Sequence, residues 1–307
     1  MIRALDRGTG QVRWDYDIRK DGEQSQFHGD SLIADGLVLI GTDGTVGHVY
    51  AFEAASGAVR WKYEVRESGV ASDILRVGED IYFVTLGDEL VCLELATGKR
   101  KWGFHASSSP VHPCVTCASP AISEGHVYFG ASDGFVYAID ARSGQVQWKR
   151  GLGGSITTSV LASQHSIYLG TAARHLYRLD TESGAVLNDV ATESTPSRRL
   201  VLAGNSVLIF VGNTLIDFSA DLKTTMWSAK SAEGWTSGRP YCWRDLVLVG
   251  DNRDLVALQA SNGSRSWSVS FPGVVRGVGT SPQVLYVGTL KGPIFAYAPK
   301  VATSVPD

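Results

Sequence analysis

Six residues of one connector, His112-Pro113-Cys114-Val115-Thr116-Cys117, bring together the side chains best suited to soft-metal chemistry in this 307-residue chain. Thiolate and imidazole both ligate zinc, and Cys-x-x-Cys spacing lets two sulfurs face one ion. With His112, Cys114 and Cys117 as three ligands, His28 or His105 would supply the fourth. A single Cys-x-x-Cys is also the pattern of a local disulfide, of a redox couple, or of two thiols with no special role. A thioredoxin-type couple needs a helix N-terminus, and none is expected here. Pro110 and Pro113 would set the connector's path without any chemistry.

A second constellation is Trp235, Arg239 and Trp243, with Arg276 in a later connector. A guanidinium beside an aromatic ring suits an anionic or planar ligand. The structural alternative is that Trp235 plugs a central channel and Arg239 pairs with a local carboxylate such as Asp245. His28, Trp235, Arg239 and Arg276 are therefore the candidates for holding a small molecule at a channel mouth. Cys92 and Cys242 sit in strand contexts and read as buried small hydrophobes. No nucleophile elbow, P-loop or dinucleotide fingerprint stands in a suitable setting.

Composition excludes several classes. A formal net charge of −3 gives no basic face for phosphate neutralisation, so no nucleic-acid partner is expected. Arg198-Arg199 is the longest basic pair and reads as a solvated loop. No run approaches 18 apolar residues, so no membrane span is expected. The N-terminal residues contain no apolar signal region, which points to a cytoplasmic setting with reduced thiols. Removal of an upstream signal would make the setting periplasmic.

The elements that must position these side chains come from a repeat. An eleven-residue unit reads ALDRGTGQVRW at 4–14, AFEAASGAVRW at 51–61, CLELATGKRKW at 92–102 and AIDARSGQVQW at 138–148. It continues as RLDTESGAVLN at 178–188, DFSADLKTTMW at 217–227 and ALQASNGSRSW at 257–267. Six copies end in Trp and one in Asn188. Six carry Gly at the seventh position, and the exception, Lys223, calls for a different turn. The copies recur at about 42 residues, a period typical of propeller blades. Each unit reads as a strand, a turn closed by Gly, and a return strand. Ahead of each lies a β-branched and aromatic run such as GHVYFGAS at 125–132, and ahead of that a small polar stretch suited to an innermost strand.

The expected fold is therefore all-β: a seven-bladed β-propeller of four-stranded antiparallel blades forming one domain over 1–307. Closure is expected from N- and C-terminal strands sharing one blade, with 11–17 beside 293–298. Residues 2–6 complicate this, because they look like a further third strand.

The unit A-x-D-x-x-[TS]-G-x-x-x-W resembles the PQQ-type β-propeller repeat. Ala138, Asp140, Ser143, Gly144 and Trp148 match it in full, after Val127-Tyr128-Phe129-Gly130 and Asp133-Gly134. The resemblance implies that Trp14, Trp61, Trp102, Trp148, Trp227 and Trp267 dock between neighbouring blades as a structural girdle. Some members of that family are quinone- and calcium-dependent dehydrogenases, some are scaffolds without cofactor, and some are sensors. The dehydrogenases carry two adjacent cysteines over the quinone, and Cys92, Cys114, Cys117 and Cys242 include no adjacent pair. PQQ and calcium are thus disfavoured, and a soft metal such as zinc remains the cofactor to consider. The expected function is a non-catalytic binding or scaffold protein with protein partners. The alternative is an enzyme or sensor holding a small molecule or metal at the channel mouth.

Overall fold

The structure, a computed structural model, describes residues 1–298 apart from 23–26, 28, 45, 66–67, 71, 107–118 and 291. The chain divides into two compact units, 1–191 and 192–307. The first opens with β1 (Ile2–Leu5), β2 (Val12–Tyr16) and a 3-10 turn at Ile18–Asp21. Four four-stranded sheets follow: β3–β6 (residues 32–65), β7–β10 (75–105), β11–β14 (121–151) and β15–β18 (161–191). The second unit holds β19–β22 (196–230) and β23–β26 (241–270), each four-stranded, and the three-stranded β27–β29 (275–297). Every pairing between strands is antiparallel and joins sequence neighbours. These sheets make the fold an all-β, seven-bladed propeller.

One blade shows why the repeat folds this way. In β12 (His126–Gly130) and β13 (Phe135–Asp140) nearly every residue is buried, because the middle strands are covered on both faces. The fourth strand, β14 (Val146–Gly151), is largely exposed. Between β13 and β14 the chain turns on its own side chains. Ser143 N and Oγ both donate to Asp140 Oδ1, at 2.7 and 2.6 Å, and Gly144 N donates to Asp140 O at 2.9 Å. Those donors hold the Asp140 carboxyl below its usual pKa. Gly144 closes the turn at φ +73°, where a Cβ would be strained. Asp180, Ser183 and Gly184 repeat the device.

The turn at Lys223 does differ. There the left-handed residue moves one position earlier, to Leu222 at φ +58°. Ser219 replaces the aspartate, its Oγ accepting from Thr224 N at 3.0 Å.

The indoles reach from one module to the next. Trp14 Nε1 donates to Ala54 O, Trp61 to Leu95 O, Trp102 to Ala141 O, Trp148 to Thr181 O and Trp227 to Ala260 O, all between 2.8 and 3.2 Å. Each ring also covers the glycine of the turn it reaches: Gly57, Gly98, Gly144, Gly184 and Gly263. The following module lacks that glycine in one case, at Lys223, and it follows the module that ends in Asn188.

The terminal pairing departs from expectation. The partner of β2 is β1, in register Ala4↔Trp14, whereas the sequence reading placed 11–17 beside 293–298. The C-terminal β29 (Ile294–Tyr297) pairs with β28 (Leu285–Thr289) in its own sheet. The reason is local. β1 carries a third-strand sequence, and the short turn over Asp6–Gly10 closes a hairpin at little entropic cost. The register is that of Ala138↔Trp148 in a complete blade.

Candidate functional site

Of the residues singled out by chemistry, His28, His112, Cys114 and Cys117 lie outside the described residues. His105 ends β10 (Arg100–His105) and is exposed. Among the described residues no three His, Cys, Asp or Glu side chains approach closely enough to hold a metal ion. The Cys92 thiol is fully buried, and burial pushes its pKa up to about 12. Cys242 is exposed, contrary to the reading as a buried hydrophobe. It lies on β23 (Tyr241–Trp243), a first strand on which the adjoining Trp243 takes the buried face.

Trp235, Arg239 and Arg276 all belong to the second unit. Trp235 precedes β23 and bridges to Asp251. It is buried among Leu208, Phe210, Leu215 and Val249, and its Nε1 has no hydrogen-bond partner among the described residues. It is thus a core residue and presents little surface to a ligand. Arg239 stacks its guanidinium 5.1 Å from the centre of the Tyr241 ring. Arg276 is exposed on β27 (Val275–Thr280), its Nη1 3.4 Å from Thr236 O.

The sequence reading missed Arg198. It does not lie in a solvated loop. It is on β19 (Pro196–Ala203), half-buried, at φ +68°. Its guanidinium lies 5.1 Å from the centre of the Phe210 ring, and Nη1 donates to Ser237 O at 2.6 Å. Burial, and then the charge of Arg276, holds its pKa below the ordinary arginine value. The signal was available in the module spacing. Arg198, Gly238 and Arg276 stand nine residues ahead of Val207, Val247 and Leu285, equivalent positions of three successive modules. Arg199 and Arg239 share the next position. The second unit therefore carries arginines where Ala118 and Ser119 stand in the first.

The first unit offers a different feature. A groove beside the strand-joining turns is lined by Asp35, Glu53, Glu79, Glu94 and Arg60. Two of its acids are in ion pairs: Arg76 binds Asp35 at 2.6 Å and Arg60 binds Glu53 at 3.4 Å.

Comparison with known proteins bears on both units. The family model described as outer membrane protein assembly factor BamB matches residues 1–161, 118–227 and 211–300. The serine/threonine-protein kinase AfsK of Streptomyces griseus is 26% identical over 148 residues, which is 48% of this chain and only 13% of the kinase. The outer membrane protein assembly factor BamB of Yersinia pestis is 21% identical over 266 residues, covering 82% of this chain and 67% of that protein. The crystal structure of BamB from Moraxella catarrhalis superposes with a TM-score of 0.75 at 20% identity, over 95% of this chain and 87% of that one. At such identity the structural likeness speaks for the fold alone.

Proposed function

Because this chain belongs to the family of outer membrane protein assembly factor BamB, matched along residues 1–300, we propose that it is a non-catalytic scaffold that binds protein partners. The observation that carries this is the continuity of the match: every module takes part in it, with no stretch between 1 and 300 left over for a separate catalytic domain. The Yersinia relative, by its name, is an assembly factor of the outer membrane. By that likeness this chain works beside such a membrane, the second of the two compartments the sequence leaves open. Among the described residues no helix is long and apolar enough to cross a membrane.

The scaffold uses one face of its modules. Within each sheet the hairpin joining second and third strands and the turn joining third and fourth lie at opposite ends, because the strands are antiparallel. The third-to-fourth turns satisfy their own polar groups, as at Asp140 and Asp180. The indole contacts then serve as a tryptophan docking motif that keeps neighbouring modules in step while the other end meets partners.

Site-specific photo-crosslinking in the cell of origin tests this. A photoreactive residue at Asp133 or Ala173, in second-to-third hairpins, should give discrete adducts with a small set of proteins. The same residue at Arg142 or Glu182, in the opposite turns, should give none. Absence of adducts from both ends rejects the scaffold reading, and equal adducts from both reject the single face.

A further inference from the structure

Two arginines of the second unit converge on one short stretch of backbone. Arg198 arrives from β19–β22 and Arg276 from β27–β29, on either side of the β23–β26 module. Arg198 Nη1 meets Ser237 O at 2.6 Å, and Arg276 Nη1 approaches the adjoining Thr236 O at 3.4 Å. Among the described residues neither guanidinium forms an ion pair with a carboxylate. Like charges repel, and the half-buried Arg198 feels the exposed Arg276 through a partly desolvated setting.

The backbone is bent to place them. Strand register shifts between Ser197 and Val201, where Arg198 sits in left-handed backbone that side chains seldom adopt. It shifts again between Val275 and Gly277, with Arg276 at the irregularity. Bulges of this kind re-aim a side chain and gather beside functional sites. Between them the equivalent position is Gly238, and a Cβ built there meets no described atom within 4 Å. Two forked donors thus flank an open position.

We propose that Arg198 and Arg276 form a clamp for one small oxyanion, a carboxylate or phosphate group, seated over Gly238. Planar guanidinium forks match both groups with paired N–H donors, and the bound negative charge cancels the repulsion between them. The Phe210 ring holds Arg198 from one side, leaving its edge for the ligand. Arg239, stacked on Tyr241 beside this segment, extends the positive field without joining the clamp. The site is independent of the scaffold reading and survives its failure.

Calorimetric titration of the full chain with inorganic phosphate, and separately with succinate, tests the clamp at constant ionic strength in chloride. Saturable one-site binding of at least one probe is expected, and which probe binds identifies the group. Arg276→Ala should weaken it by about tenfold or more. It should also raise the melting temperature measured without the probe, since a repelling charge is gone. Gly238→Leu should fill the seat and abolish binding with melting unchanged. No saturation by either probe up to about 10 mM overturns the proposal, as do equal affinities in Arg276→Ala and the parent chain.

Discussion

The Trp148 indole lies directly on Gly184 of the following module: a Cβ added to that glycine would come within 2.5 Å of the ring carbon Cε3. The same indole donates to Thr181 O at 2.9 Å. Gly184 is therefore required twice, by its φ of +65° and by the ring above it. Gly184→Ala should cost about 2–4 kcal/mol, combining left-handed strain with overpacking. In a Trp148→Ala background, itself about 3–5 kcal/mol less stable, the same change should cost only about 1–2 kcal/mol. Urea unfolding of the four chains in a double-mutant cycle measures the difference.

Asp217 pairs across the sheet with Trp227, where three other four-stranded modules place alanine, as at Ala138↔Trp148. It is 4% exposed, and its Oδ1 has no partner among the described residues. Burial raises its pKa, so the folded state holds the proton more tightly than the unfolded state does. The ionised form destabilises the fold, and the penalty fades as pH falls through the raised value. Asp217→Ala should therefore gain about 1–3 kcal/mol at pH 7. The gain should shrink in acid, and thermal melts across that range would show it.

Arg174 occupies the tip of the hairpin between Thr171 and His175 at φ +64°. Gly134 takes that place in the preceding module at φ +83°. Arg174→Gly should relieve left-handed strain of about 1 kcal/mol, and the urea midpoint should rise with an unchanged slope.

Buried Trp235 and half-buried Trp148 should respond differently to loss of the ring nitrogen. Trp148→Phe removes a hydrogen bond and should cost at least about 1 kcal/mol. Trp235→Phe removes an N–H that has no partner among the described residues, and the relief should offset the smaller ring to within about 1 kcal/mol. Paired denaturation curves test the contrast.

The blades were legible because the interval between Trp14, Trp61, Trp102 and Trp148 reports one supersecondary unit, and the D-x-x-[ST]-G turn has a local physical cause. Pairing of the terminal strands was not, since β1 and β29 carry similar third-strand sequences and chain proximity decides which one meets β2. Arg276 and Arg239 stood out as charges beside aromatics. Arg198 was hidden because two neighbouring basic residues look like a wet surface, and only the module register reveals its counterpart. Cys242 was misjudged because a first strand has a face that its sheet does not cover.

The forward reach of each indole sets an order on synthesis. Trp61 finds its acceptor, Leu95 O, only after 34 further residues have been made, and Trp102 waits 39 for Ala141. On the ribosome a module that ends in one of these indoles is finished one module late, and keeps a bare tryptophan until its successor emerges. That lag is the interval in which a chaperone would have something to hold.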